Sequence, residues 1–233
     1  RFVVRQDYDE LTSRLRGQLV RSVTRHGKFI IVELDNGSLS IHLGMTGKLL
    51  LDAPAGKYAR AVFELDQGVL VYDDIRHFGR IEWSPALLDR AQELGPDALS
   101  IPLDDFLTRL KKRHAQIKPL LLNQSFLRGM GNIYTDEALF AARIHPKAIA
   151  SKLSRDRATR LHAAMVSILA TAIRMKGSSI SDYVDAEGRK GTFQQQHQVY
   201  GREGARCLMC NSRVRRIVLG SRGTHYCPNC QRR

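Results

Sequence analysis

Four cysteines stand close together near the end of the chain, as Cys207-x2-Cys210-x16-Cys227-x2-Cys230. Two Cys-x2-Cys knuckles at that separation present four thiolates to one tetrahedral ion, the pattern of a zinc ribbon. Disulfides are the competing use of four cysteines. The opening twenty residues are too charged for a secretion signal, so a reducing compartment and zinc are expected. Four thiolates leave no open coordination position, which makes the expected ion, one per chain, structural.

A ribbon of about thirty residues cannot organise a chain of 233, so the remainder needs its own core. The balance of 37 Lys+Arg against 23 Asp+Glu leaves a formal charge of +14, which implies a polyanionic partner. No apolar run approaches the ~18–20 residues of a membrane span. The expected protein is therefore cytoplasmic, with no membrane partner. Arg206, Arg213, Arg215, Arg216, Arg222, Arg232 and Arg233 put part of the charge on the ribbon itself.

The first half is strand-rich. After a short helical stretch from Asp7 to Leu15, apolar β-branched runs recur at 19–24, 29–34, 39–43, 48–51, 61–65, 69–72 and 80–83. Glycine-containing turns separate them, and Asn36-Gly37 between two such runs predicts a hairpin. From Pro85 the pattern becomes helical, with helices expected over 103–112, 117–123 and 132–141. A longer helix follows Ser154, its expected N-cap; Leu161, Met165, Ile168, Ala172 and Met175 share one face, and Gly177 stops it. Residues 124–131 form a glycine-containing turn of the helix-turn-helix kind, and 177–191 a polar, glycine-rich loop. The expected fold is α+β with two domains: a β-sandwich-like domain over 1–95 and a helical domain over 96–200, followed by the zinc ribbon over 201–233.

Several side chains in this frame admit two uses. Met45 lies between glycines in His42-Leu-Gly-Met-Thr-Gly47, a poor place to bury a methionine, and Arg76 and Phe78 lie two apart in Asp74-Ile-Arg-His-Phe-Gly79. Apolar wedges with an arginine suit a protein that fills the gap left by an everted nucleotide. Lys28 at a strand start, Arg222 at the tip of the ribbon hairpin, and the cations Lys111, Lys112, Arg113 and Lys118 fit either solvation or phosphate binding. Gly129-Met-Gly131 lets backbone approach a phosphodiester, and Asn132 is placed to cap the following helix.

Taken in order, these elements resemble the bacterial formamidopyrimidine-DNA glycosylase family. The anchors are Arg25-His-Gly-Lys-Phe29, His42-Leu-Gly-Met45, Arg76-His-Phe-Gly79, Glu93-Leu-Gly-Pro-Asp97, Gly131-Asn-Ile-Tyr134, Gly191-Thr-Phe193, Val199-Tyr-Gly-Arg202 and the ribbon. The resemblance implies a helix-two-turn-helix domain and excision of oxidised purines such as 8-oxoguanine and formamidopyrimidines from double-stranded DNA, followed by β,δ-elimination. It implies a phosphate contact with a part in elimination for Lys28, and occupation of the vacated stack by Met45, Arg76 and Phe78. Arg113, Lys118, Asn132 and Arg222 match backbone contacts, with Arg222 also acting in elimination. Tyr200 matches a tyrosine beside the lesion phosphate, and 177–191 a loop covering the everted base. A monomer associated with the bacterial nucleoid completes that expectation.

Two departures stand out. The family's Pro-Glu start, whose proline amine attacks the sugar, has no counterpart in a sequence that opens Arg1-Phe2-Val3, so this stretch by itself is expected not to excise a base. Lys57-Tyr58-Ala59-Arg60 stands where relatives carry DNA-touching histidines, and Tyr58 or Arg60 is the candidate replacement. Two alternatives follow: a non-catalytic module for damaged DNA, and an endonuclease VIII-type glycosylase for oxidised pyrimidines, from which the Met45, Arg76, Phe78 set argues away.

Overall fold

The computed structural model describes residues 3–86, 93–180 and 183–232. The chain forms two compact units, Arg1–Glu93 with Lys176–Thr192, and Leu94–Met175 with Phe193–Arg233. The domain limits expected from sequence change in two ways. Residues 176–192 belong to the β-rich unit, where the Leu51 N–H donates to the Ala186 carbonyl at 2.9 Å. The ribbon belongs with the helices, because Phe140 and Val199 share a small core with Val214 and the sulfurs of Cys207 and Cys227. Residues 1–2, 87–92, 181–182 and 233 lie outside the described residues, and with them the start of the helical pattern after Pro85, part of the 177–191 loop and Arg233.

In the first unit, helix α1 (Tyr8–Leu15) begins where the Asp7 carboxylate accepts the Asp9 N–H at 2.9 Å, and it buries Leu11. Among the described residues seven strands follow: β1 (Val20–His26), β2 (Phe29–Leu34), β3 (Ser38–His42), β4 (Lys48–Leu51), β5 (Ala59–Glu64), β6 (Val69–Asp73) and β7 (Arg80–Ser84). They form two antiparallel sheets, in the orders β1-β2-β3-β7 and β4-β6-β5. Leu39, Ile41 and Ile81 of the larger sheet share a core with Tyr72, Leu49 and Phe63 of the smaller, which makes the unit a sandwich. Asn36-Gly37 turns β2 into β3, with the Leu34 N–H on the Gly37 carbonyl at 3.0 Å and Gly37 at φ +80°.

Register brings several turns to one end of the sandwich. Phe29 pairs with His42 and His42 with Arg80, while Lys48 and Ala59 both pair with Asp73. The turns 27–28, 43–47 and 74–79, and Tyr58 just before β5, therefore emerge together.

The second unit contains α2 (Leu103–Lys111), α3 (Ile117–Leu122), α4 (Asn132–Ala141), α5 (Arg155–Arg174) and the hairpin β8 (Arg215–Leu219) and β9 (Arg222–Tyr226). Its core gathers Phe106, Leu110, Ile117, Leu121, Leu127, Met130, Leu139, Ile144, Leu161 and Met165. Ser154 caps α5 through its hydroxyl on the Arg157 N–H, and the buried face reads Ala158, Leu161, Met165, Leu169, Ala172. Leu169 takes the place expected for Ile168, which is only partly buried, as is Met175. The cap of α4 is Gly131 rather than Asn132, which is the first helical residue.

Candidate nucleic-acid interface and metal centre

The ribbon folds as its spacing predicts. Sγ of Cys207 lies 3.9 Å from that of Cys230, Cys210 lies 3.4 Å from Cys227, and the four sulfurs fall within 4.8 Å of one another. A tetrahedron with Zn–S bonds of about 2.3 Å has edges of about 3.8 Å, so the cage fits one zinc ion. Two turns shape it: the Asn211 N–H donates to the Cys207 carbonyl at 2.9 Å and the Gln231 N–H to the Cys227 carbonyl at 3.0 Å. Gln231, fully buried, also accepts the Cys227 N–H at 2.8 Å and donates to the Ile144 carbonyl at 3.0 Å, which ties the cage to the turn after α4.

Arg222 opens β9 just after the tight turn at Gly220 (φ +54°) and Ser221 (φ +59°), with its side chain exposed. Beneath it is a buried polar knot. Lys118 Nζ donates to Asp136 Oδ1 at 2.6 Å and to the Gly223 carbonyl at 2.9 Å, and Asn132 Nδ2 donates to that same carbonyl at 3.0 Å. Asp136 Oδ2 accepts the His225 N–H at 2.8 Å. The structure thus corrects the expectation for Lys118. Its side chain has no solvent exposure, and its ammonium serves the protein interior rather than the surface. Burial pulls the Lys118 amine below the ordinary lysine range, and the Asp136 carboxylate partly restores it.

Next to Asp136 on α4, buried Glu137 accepts the N–H groups of Gln198, Val199 and Tyr200 at 2.9, 3.0 and 2.8 Å. Tyr200 is thereby fixed, its ring 4.9 Å from that of His225 and 5.6 Å from that of His197. Lys118, Asn132, Tyr200 and Arg222 are accordingly joined through one stretch of α4. Arg113 is exposed beyond the end of α2, where its carbonyl accepts the Ser151 N–H at 3.0 Å; no described bond joins it to this knot.

The turn-bearing end of the sandwich presents the other expected residues. Met45 is 62% exposed and Phe78 50%, and the Arg76 guanidinium covers the Phe78 ring. Both turns are fastened by Asp74, which is fully buried. One carboxylate oxygen accepts the Thr46 hydroxyl at 2.6 Å and the Arg76 N–H at 3.2 Å, and the other accepts the Gly79 N–H at 2.8 Å. Burial pushes this carboxyl up, but the Thr46, Gly79 and Arg76 donors and nearby His77 outweigh it and hold it below the usual aspartate value. Gly44 (φ +64°) passes so close to the second turn that a Cβ there would meet the Phe78 backbone carbon at 2.7 Å. The Tyr58 carbonyl accepts the Asp74 N–H at 3.0 Å, and Arg60 Nε donates to the Asp74 carbonyl at 2.9 Å. Lys28 is exposed in the two-residue turn between β1 and β2. Its charge, after burial, is the main influence depressing the His42 imidazole.

The 177–191 loop, in the part described, is knit by Asp185, which accepts Lys176 Nζ at 3.0 Å and the Arg189 N–H at 2.8 Å, and by Ser179, which accepts the Gly191 N–H at 2.8 Å. Sequence reasoning missed Asp74, Thr46, Asp136 and Glu137. For the last two a signal was present: an acidic pair directly before the apolar run Ala138-Leu-Phe-Ala141, on an expected helix, requires buried partners.

Comparison with known proteins agrees along the whole length. The family model for the formamidopyrimidine-DNA glycosylase N-terminal domain matches residues 1–81, that for the H2TH domain of the same enzyme matches 94–184, and the zinc finger found in FPG and IleRS matches 204–233. A formamidopyrimidine-DNA glycosylase of Solibacter usitatus is 50% identical over 228 residues, 97% of this chain and 86% of that protein. A Lactococcus lactis FPG mutant in complex with Fapy-dG containing DNA superposes with a TM-score of 0.90 at 34% identity, covering 99% of this chain and 89% of the other. A MutM complex with carbocyclic 8-oxo-G containing DNA gives 0.90 at 34%, covering 99% and 88%.

Proposed function

The chain belongs to the formamidopyrimidine-DNA glycosylase family, and from that membership we propose how its residues divide the work of base-excision repair on oxidised purines in duplex DNA. Met45, Arg76 and Phe78 fill the space an everted purine leaves, Arg76 toward the orphaned base. The observation that carries this is an expensive one: two large apolar side chains held in solvent on turns locked by a buried carboxylate. Exposed apolar wedges on a rigid support pay off only when they enter an unstacked step.

On the helical unit, Arg222, Asn132 and Tyr200 bind DNA phosphates; on the sandwich, Lys28 binds a phosphate as well. Arg113 and Tyr58 contact the backbone further along, and 177–191 covers the everted base. Elimination breaks a carbon–oxygen bond to a phosphate, which departs as an anion. The Lys28 ammonium and the Arg222 guanidinium, each on its own phosphate, stabilise such a departing charge, which is how each assists lyase chemistry. The zinc holds the ribbon folded and takes no part in bond breaking. The +14 charge supports residence on nucleoid DNA.

The test is binding to a duplex with 8-oxoguanine opposite cytosine and to its undamaged counterpart, at one salt concentration. A clear preference for the damaged duplex, lost when Met45 and Phe78 are both replaced by alanine, is expected. Equal affinity for the two duplexes overturns the reading.

A further inference from the structure

An exposed arginine at the tip of a two-stranded hairpin has no rigidity of its own, since an isolated hairpin is marginal in water. Zinc fixes the base of the ribbon, but Arg222 lies five residues from Cys227, about 16 Å along an extended strand. Something else must hold the tip. Three hairpin residues do so, through contacts with α3 and α4. Gly220 packs over the Pro119 side chain, which a Cβ there would meet at 3.5 Å. The Gly223 carbonyl receives both Lys118 and Asn132, and the His225 N–H meets Asp136. Arg222 sits between these anchors.

Asp136 is the member on which the others depend. One of its oxygens neutralises the buried Lys118 ammonium, and the other takes a backbone N–H of β9. We propose that Asp136 is a positioning residue: through Lys118 and β9 it sets the ribbon hairpin against the start of α4, so that the Asn132 amide and the Arg222 guanidinium address one and the same phosphate. A carboxylate is required because both of its faces meet donors. An asparagine would turn an NH2 group toward either the ammonium or the His225 N–H, whichever way it flipped. The proposal deepens the reading above and rests on its assignment of Arg222 to a phosphate.

The experiment measures the dissociation constant for a duplex carrying a tetrahydrofuran abasic analogue over a range of salt, for Asp136→Asn, Arg222→Ala and the double variant, with zinc content and melting recorded for each. Arg222→Ala is expected to weaken binding about tenfold and to lower the salt slope by about 0.9, the value of one phosphate. Asp136→Asn is expected to do the same with one zinc retained, and the double variant to bind no worse than either single one. Additive losses, or an Asp136→Asn protein with the full salt slope, overturn the proposal. If Arg222→Ala binds as the parent does, the phosphate assignment itself falls. Should Asp136→Asn lose zinc or unfold, Asp136→Leu with Lys118→Met removes both buried charges together, and a full salt slope in that protein is equally decisive against.

Discussion

The Arg76 guanidinium lies 4.6 Å from the centre of the Phe78 ring. Stacked on the ring, the planar cation has its long side chain already ordered, so less entropy is lost when it meets a base edge. Phe78 in turn is covered by that guanidinium and remains half exposed. The pair is better described as one preassembled wedge than as two side chains.

Replacing Arg76 with alanine is therefore expected to harm recognition more than adhesion. A base-edge contact of this kind is worth about 1–3 kcal/mol, so the preference for an 8-oxoguanine duplex over an undamaged one should fall about tenfold or more. Affinity for undamaged duplex, which depends on phosphates, should change only slightly. Competition binding of the two duplexes at fixed salt checks this, and a uniform loss on both would place Arg76 on the backbone instead.

Asp74 makes a prediction in stability and in pH. Asparagine in its place leaves at least one of the Thr46, Arg76 and Gly79 donors unmatched in a buried site, which costs about 2–3 kcal/mol. Because the Asp74 carboxyl is held below its unfolded value, its contribution is fully present above about pH 4 and is lost as pH falls through the folded value. Urea unfolding of parent and Asp74→Asn proteins should show a constant gap from pH 7 to pH 5 that narrows toward pH 3. A gap that widens on acidification would contradict the assignment.

These carboxylates also show where the sequence was readable and where it was not. Strands β2 and β4 and helix α4 fall where periodicity and glycine punctuation put them, because a β-branched run or an apolar face carries its own boundary. The zinc ligands were equally plain, since metal geometry constrains spacing directly. Asn132 was misread as a cap because its true partner, the Gly223 carbonyl, lies 91 residues away. Lys118 was misread as a surface cation because the carboxylate that makes its burial tolerable stands on another helix. Local pattern reports propensity and exposure; it does not report pairings made across the chain.

The ribbon should be lost as a unit. Cys227 is fully buried, and its backbone is tied to Gln231 on both sides of the knuckle. Cys227→Ser, or a strong chelator on the parent protein, is expected to release one zinc per chain, unfold residues 204–232 and disperse the Arg222 hairpin. Affinity for the abasic-analogue duplex should fall in step as zinc released to a colorimetric indicator rises. Full affinity in a zinc-free protein would show that the ribbon contributes nothing to the interface.

Glu137 provides the opposite pH signature. Burial raises its carboxyl above the usual glutamate range; the N–H groups of Tyr200, Gln198 and Val199 oppose this without overcoming it, and neighbouring Asp136 adds to the rise. A raised folded value means that the stabilising contribution is fully present below about pH 4, the unfolded value, and is lost as pH rises through the folded one. Glutamine imitates the protonated acid and keeps one oxygen for two of the three N–H groups. Glu137→Gln should therefore cost about 1–2 kcal/mol in acid, where the parent is also neutral at this site, and less at pH 7. Denaturant melts at pH 4 and pH 7, run beside Asp74→Asn, give gaps that move in opposite directions with pH. If both gaps narrow toward acid, the Tyr200 loop is held by an ionised glutamate and the direction assigned to Glu137 is wrong.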